Sequence, residues 1–260
     1  VISSIEVLTE ALKREIASRM AYRTDFFINA GMSLLTDLVM PAITLLIYQS
    51  GGSFPGWTLY EALLIQGIFS TARGIAFTVF FGIVWNVFSH VREGTFDLLL
   101  VKPRSALYLA LINGIDSDNA SRILSGIVMT AVALANLPPP GVMQWLQFTV
   151  LFLLSLSVLF SLTLLMSGTL FKWVGNSRVY EVFDSLVSFG LYPKTIFSRS
   201  FQTIISTIIP VAMIGFFPAS ALIGRPSGET LVAAVACVVL LSASLLFWHT
   251  MLRSYTSAGG

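Results

Sequence analysis

The stretch Val142–Phe171, VMQWLQFTVLFLLSLSVLFSLTLLMSGTLF, contains no Asp, Glu, Lys or Arg. A spanning helix needs about 20 predominantly apolar residues at roughly 1.5 Å each, so this run is long enough to cross a bilayer. Similar runs lie on both sides of it. Phe26–Tyr48 is apolar except for Asn29 and Asp37, Leu59–Phe88 is longer than a bilayer needs, and Glu229–Leu252 is the last. The excess length of the second run implies tilt or projection beyond the lipid.

Composition carries the same message. Of 260 residues, 55% are hydrophobic and 11% charged, with a mean hydropathy of +0.83; soluble domains carry roughly 25% charged residues. The chain is predicted to be an all-α integral membrane protein, since a barrel would show short alternating strands instead. A net charge of +2, spread over short loops, argues against a nucleic-acid partner and suits topology signals. The single cysteine, Cys237, cannot form an internal disulfide. The first residues, VISSIEVLTEALKRE, lack the basic, apolar and small-residue order of a cleavable signal peptide.

The most polar interruption is Ser89–Ser105, SHVREGTFDLLLVKPRS. Too few apolar residues run together here to cross. The pattern predicts a short amphipathic connector at the interface, with Gly94 allowing a tight bend and Pro103 ending it. Ser4–Arg23 is also amphipathic, with Ile5, Leu8, Leu12, Ile16 and Met20 at helical spacing, and is predicted to be an interfacial helix. The region 106–137 is clearly apolar only from Ile123, and ends at Pro138, Pro139 and Pro140. Residues 179–225 leave two readings. Either 182–192 is interfacial and 200–217 spans, or the first piece spans and the second re-enters the membrane.

Basic residues set an orientation. Lys13, Arg14, Arg19 and Arg23 precede the first span; Arg92, Lys102, Arg104 and Arg122 follow the second; Lys172 and Arg178 follow the fourth. The loops after the first and third carry none. The positive-inside rule therefore places both termini and the connector in the cytoplasm, in a cell's inner membrane.

No nucleotide-binding GxxxxGK[ST], GxSxG or HExxH string occurs. His90 and His249 are far apart and have no Cys, Asp or Glu at ligand spacing, so no metal site is predicted. Two charges sit inside spans: Asp37 near the middle of the first and Arg73 near the middle of the second. Antiparallel neighbours would bring them to one depth, where a pair costs much less than either charge alone. An Asp37–Arg73 ion pair facing the bundle interior is predicted. Asn29, Gln49 and Gln66 are weaker candidates for the same polar face. Gly67, Ser70, Ala72, Gly74, Ser161, Ser167 and Gly168 permit close helix approach.

The order of these features resembles the permease subunits of type-2 ATP-binding-cassette (ABC-2) exporters. The resemblance rests on Arg19 with Tyr22-Arg23-Thr24-Asp25-Phe26, on Gly56-Trp57, and on Val91 to Leu100 with Pro103. Tyr192-Pro193 and the spacing from Ile209-Pro210 to Phe217-Pro218 add to it. It implies a six-span half-permease, with spans near 26–48, 59–88, 119–137, 142–171, 200–217 and 229–252, forming a single domain over 1–260. It also implies an N-terminal connecting helix and a cytoplasmic coupling helix in 89–105 that docks on a separate ATPase subunit. Arg92, Glu93, Gly94, Phe96, Asp97 and Leu99 are the expected partner-binding residues, with Phe96 and Leu99 as buried anchors. The chain itself would be non-catalytic and hold no cofactor, ATP and Mg being bound by the partner ATPase. A second half-permease and membrane lipid complete the expected partners. The competing reading from the residues alone is a stand-alone channel or ion-coupled carrier; an intramembrane enzyme lacks a nucleophile and base at matched depth.

Overall fold

The computed structural model describes Glu6, Thr9, Glu10, Lys13 and residues 23–116, 119–173 and 178–256. The expected N-terminal amphipathic helix lies largely outside these residues. Helix α1 (Arg23–Gln49) carries Pro41 in its interior and leaves Phe27, Met32, Leu35 and Leu46 exposed. Such a surface is stable only in lipid or against another protein.

Helix α2 (Leu59–Val79) begins at a reciprocal cap. Thr58 Oγ1 accepts from the Glu61 N–H at 3.4 Å, and Glu61 Oε2 accepts from the Thr58 N–H at 2.8 Å. The chain breaks at Phe80 and Phe81, whose N–H groups both bond to the Ala76 carbonyl, and resumes as α3 (Gly82–Arg92). The connector holds one short helix, α4 (Asp97–Leu100), and leads into α5 (Ala106–Asn113) and α6 (Ala120–Ala135).

These two broken helices run side by side, α5 on α3 and α6 on α2. Their breaks meet. The backbones of Gly82 and Gly114 are in direct contact, and the Asp116 N–H donates to the Thr78 carbonyl at 3.0 Å near the end of α2. Further along, a methyl on Gly67 would lie 2.7 Å from the Thr130 nitrogen, and one on Gly74 would lie 2.7 Å from the Ile123 nitrogen. Gly126 answers from α6 against Thr71. Small residues thus bring two apolar helices to backbone distance, as helix pairs in lipid require.

Helix α7 (Val142–Leu170) packs lengthwise on α11 (Thr230–Arg253), with Gly168 beneath Phe247 and Trp248. Its buried Ser161, Thr163 and Ser167 donate to carbonyls one turn back in the same helix, at 2.6, 2.9 and 2.8 Å. They are packing groups with satisfied hydroxyls.

Between α7 and α11 come α8 (Arg178–Ser188), a 3-10 turn (Phe189–Leu191), α9 (Arg199–Thr203) with a π-helical turn (Ile204–Ile208), and α10 (Phe216–Leu222). Over 200–217, the expected fifth span, the helix is interrupted at Pro210. Pro210 has no N–H to extend the ladder, and the pieces Arg199–Ile208 and Val211–Leu222 are bent by 79°.

Both ends of this segment lie at the end of the bundle that carries the 50–58 loop. Trp57 Nε1 donates to Thr195 Oγ1 at 3.1 Å, Arg225 pairs with Glu61 at 3.2 Å, and Lys194 pairs with Glu229. The connector, Phe171 and Tyr255 occupy the opposite end.

Among the described residues, four helices are long and apolar enough to cross a membrane: Phe27–Gln49, Leu59–Arg92, Val142–Leu170 and Thr230–Arg253. The bent pair, counted as one, would make a fifth. Ala120–Ala135 has 16 residues, or about 24 Å of helix, short of a hydrocarbon core of roughly 30 Å.

Candidate functional site

Two places concentrate polar chemistry. The first is the connector. Gly94 adopts φ +68°, the left-handed bend that a side chain would resist. His90 stabilises it: its carbonyl accepts from the Thr95 N–H and its Nδ1 contacts Thr95 Oγ1, both at 2.8 Å.

Phe96 then turns inward and is fully buried, its ring 4.9 Å from Phe171 and 5.2 Å from Tyr255. Phe171 in turn meets Trp248 at 5.1 Å. Leu99 is buried too. The two residues expected to anchor a partner are therefore anchored in this chain. Their three-residue spacing marks an apolar face but not which molecule covers it. Burial raises the pKa of the Tyr255 phenol, and the Asp97 carboxylate raises it further. Arg92, Glu93, Leu98, Leu100, Val101 and Lys102 face outward, Val101 with 81% of its surface exposed.

The second place is a cavity of about 350 Å³ between α1, α2, α6 and α8, lined by Asp37, Gln66, Arg73, Arg122, Asp184 and Ser188 among others. Arg73 lies 14 residues into α2, about 21 Å from its start. It forms its ion pair with Asp184, and its guanidinium lies 5.4 Å from the Phe77 ring centre. The expected pair with Asp37 is not among the ion pairs of the described residues. Asp37 faces the same cavity but accepts from Ser125 Oγ at 3.1 Å. Matched depth brought both residues to one chamber, and α8 supplied a nearer carboxylate.

Gln66 is 1% exposed. Its Nε2 donates to Thr44 Oγ1 at 2.7 Å, while its Oε1 has no partner. Asn29 and Gln49 are exposed and take no part. Among the described residues the Arg122 side chain has no ion pair or hydrogen bond; its guanidinium sits 5.6 Å from the Phe77 ring, and its Nε is buried and unpartnered.

A bundle of apolar helices, a polar interior chamber and a compact connector at one end are what a membrane permease presents. The family model for ABC-2 family transporter proteins matches residues 34–259. The chain belongs to that family. It is therefore an integral membrane permease component of an ABC transporter, in a family whose members generally are non-catalytic and work with an ATP-binding-cassette ATPase. Comparison with curated proteins and with solved structures returned no match.

In this permease, sequence reasoning missed Asp184, the Lys194–Glu229 pair and the Glu61–Arg225 pair. Lys194 is buried, 5.3 and 5.0 Å from the ring centres of Phe216 and Phe217. The available signal was the rule that a charge buried among apolar groups demands a partner. Applied to Arg73 and Lys194, it points to carboxylates on neighbouring elements without saying which.

Proposed function

We propose that this permease is one half of an ATP-driven exporter, crossing the membrane six times with both termini and the connector in the cytoplasm. In this reading α1, α2 with α3, α5 with α6, α7, α8 with its 3-10 turn and the extended Tyr192 and Pro193, and α11 are the crossings. Segment 195–225 is re-entrant from the outer side. What supports it is that Thr195 and Arg225 both reach the 50–58 end of the bundle, while the basic residues of the connector sit at the other.

The connector is the coupling segment. Its docking surface is the outward set Arg92, Glu93, Leu98, Leu100, Val101 and Lys102, in which exposed aliphatic groups are flanked by both signs of charge. Such a patch fits a cleft in a cytosolic partner. Gly94 sets the bend, and Asp97 stands between the outward and inward faces. Phe96 and Leu99 transmit rather than touch: Phe96 couples a push on the connector to Phe171 at the end of α7 and Tyr255 beyond α11. ATP and Mg belong to the partner, and closure of two ATPase subunits would tilt the two halves about a path between them.

The single observation that carries this reading is the exposed group of Leu98, Leu100 and Val101 held on an internally anchored turn. Affinity purification from the native membrane in mild detergent tests it. The account expects a soluble ATPase to co-purify, and a second permease chain with it. Purification of the chain alone, with ion flux that depends on Asp37 and Arg73, would favour the stand-alone channel or carrier, for which the charged cavity is the relevant observation.

A further inference from the structure

The charged cavity does not end in protein. An apolar groove of about 650 Å³ adjoins it, walled by Leu34, Leu38 and Leu45 of α1, Leu63 of α2, and Val128 and Val132 of α6. Asp37 and Pro41 line both spaces, so the polar chamber and the groove meet along one side of α1. Both volumes fall in the range of ligand sites.

The polar end is incompletely satisfied in a particular way. The charge of Arg73 is met by Asp184, and Asp37 is held by Ser125. That leaves Arg122 with no acidic partner among the described residues. It also leaves two buried donors, Arg73 Nε and Arg122 Nε, and one buried acceptor, Gln66 Oε1, without hydrogen bonds. Buried polar atoms of this kind are unfavourable when left unmatched. Guanidinium edges match phosphate oxygens, and a bare amide carbonyl matches a hydroxyl or amine.

We propose that the chamber and groove form one binding site for a phosphate-bearing amphiphile whose head also carries a hydroxyl or amine. The phosphate lies between Arg122 and Arg73, the head's donor meets Gln66 Oε1, and one acyl chain occupies the groove between α1 and α6. The inference rests on this chain's own side chains and on its place in the membrane, not on partnership with an ATPase.

Native mass spectrometry of the full chain in mild detergent tests it, with phosphatidylglycerol and phosphatidylcholine as probes. Both carry a phosphate and two chains, but phosphatidylglycerol is a net anion with hydroxyl donors, whereas choline cancels the phosphate charge and offers no donor. Phosphatidylglycerol should be retained at least ~10-fold better. Arg122→Gln should remove that preference, Arg122→Lys should keep part of it, and Val128→Trp should weaken retention of both lipids by filling the groove. Lys172→Gln, at an exposed position away from the cavity, should change nothing. Each variant's melting temperature is read alongside, and Arg122→Lys carries the test if Arg122→Gln does not fold. Equal retention of the two lipids, or a preference unchanged in both Arg122 variants, would overturn the proposal. So would displacement by soluble glycerol phosphate, which would make the occupant a water-soluble phosphate.

Discussion

Arg73 has a choice of carboxylates, and geometry gives it Asp184. The pair is partly solvated, with 22% and 40% of the two side chains exposed, so its strength lies below that of a fully buried bridge. A double-mutant cycle of Arg73→Gln with Asp184→Asn should show coupling of roughly 1–2 kcal/mol in thermal or denaturant stability. The same cycle with Asp37→Asn should show a smaller value, and equal coupling would restore the pairing that helix depth alone suggests. Glycine acts at the same scale. Gly126→Ala places a methyl against the Thr71 backbone and should cost about 1–3 kcal/mol, read as a lowered melting temperature in detergent. Gly31→Ala, with nothing within 4 Å, should be close to neutral. The sequence shows which residues are small or charged. It does not show which of several equidistant partners each one meets, because that depends on the rotation of helices whose apolar faces are all alike.

Elements were legible where apolar length was unambiguous and obscure where it was interrupted. The runs behind α1, α2, α7 and α11 are long enough to force a helix in lipid, and their bounds are visible from composition. The stretch 106–137 was harder because its first half is polar; the structure resolves it into α5 and α6, broken opposite the break between α2 and α3. Around Pro210 the composition allowed either a span or a re-entrant piece, and the missing N–H bends the segment by 79°. The connector teaches a different lesson. Its amphipathic pattern was plain, but the apolar face at Phe96 and Leu99 is covered from within. Phe96→Ala should therefore destabilise the permease itself, by about 3–5 kcal/mol, with the melting temperature falling whether or not a partner is present. Val101→Asp, at an exposed position, should leave the melting temperature unchanged and abolish ATPase association. An unaltered stability in Phe96→Ala would mean that the aromatic cluster with Phe171 and Tyr255 does not hold the turn.

For the molecule as a whole, the charged groups divide into three layers. Glu61–Arg225 and Lys194–Glu229 close the end with the 50–58 loop, Arg73–Asp184 with Asp37 and Arg122 occupy the interior, and the connector's charges face outward at the other end. The proposed topology makes the first layer extracytoplasmic. Single cysteines at Thr195 and Arg225, in a Cys237→Ala background, should both react with an impermeant maleimide added from outside. A cysteine at Val101 should react only after the membrane is opened. Labelling of Thr195 and Arg225 from opposite sides would instead make Arg199–Leu222 a bent crossing. Above these details stands the claim that the connector's outer face meets an ATPase. The most direct measurement is site-specific photocrosslinking in native membranes, with a benzophenone residue in place of Val101 or of Phe96. The account predicts that position 101 captures the ATPase subunit and that position 96 yields only links within the permease. Capture of the ATPase from position 96, or from neither position with the ATPase present, would contradict it.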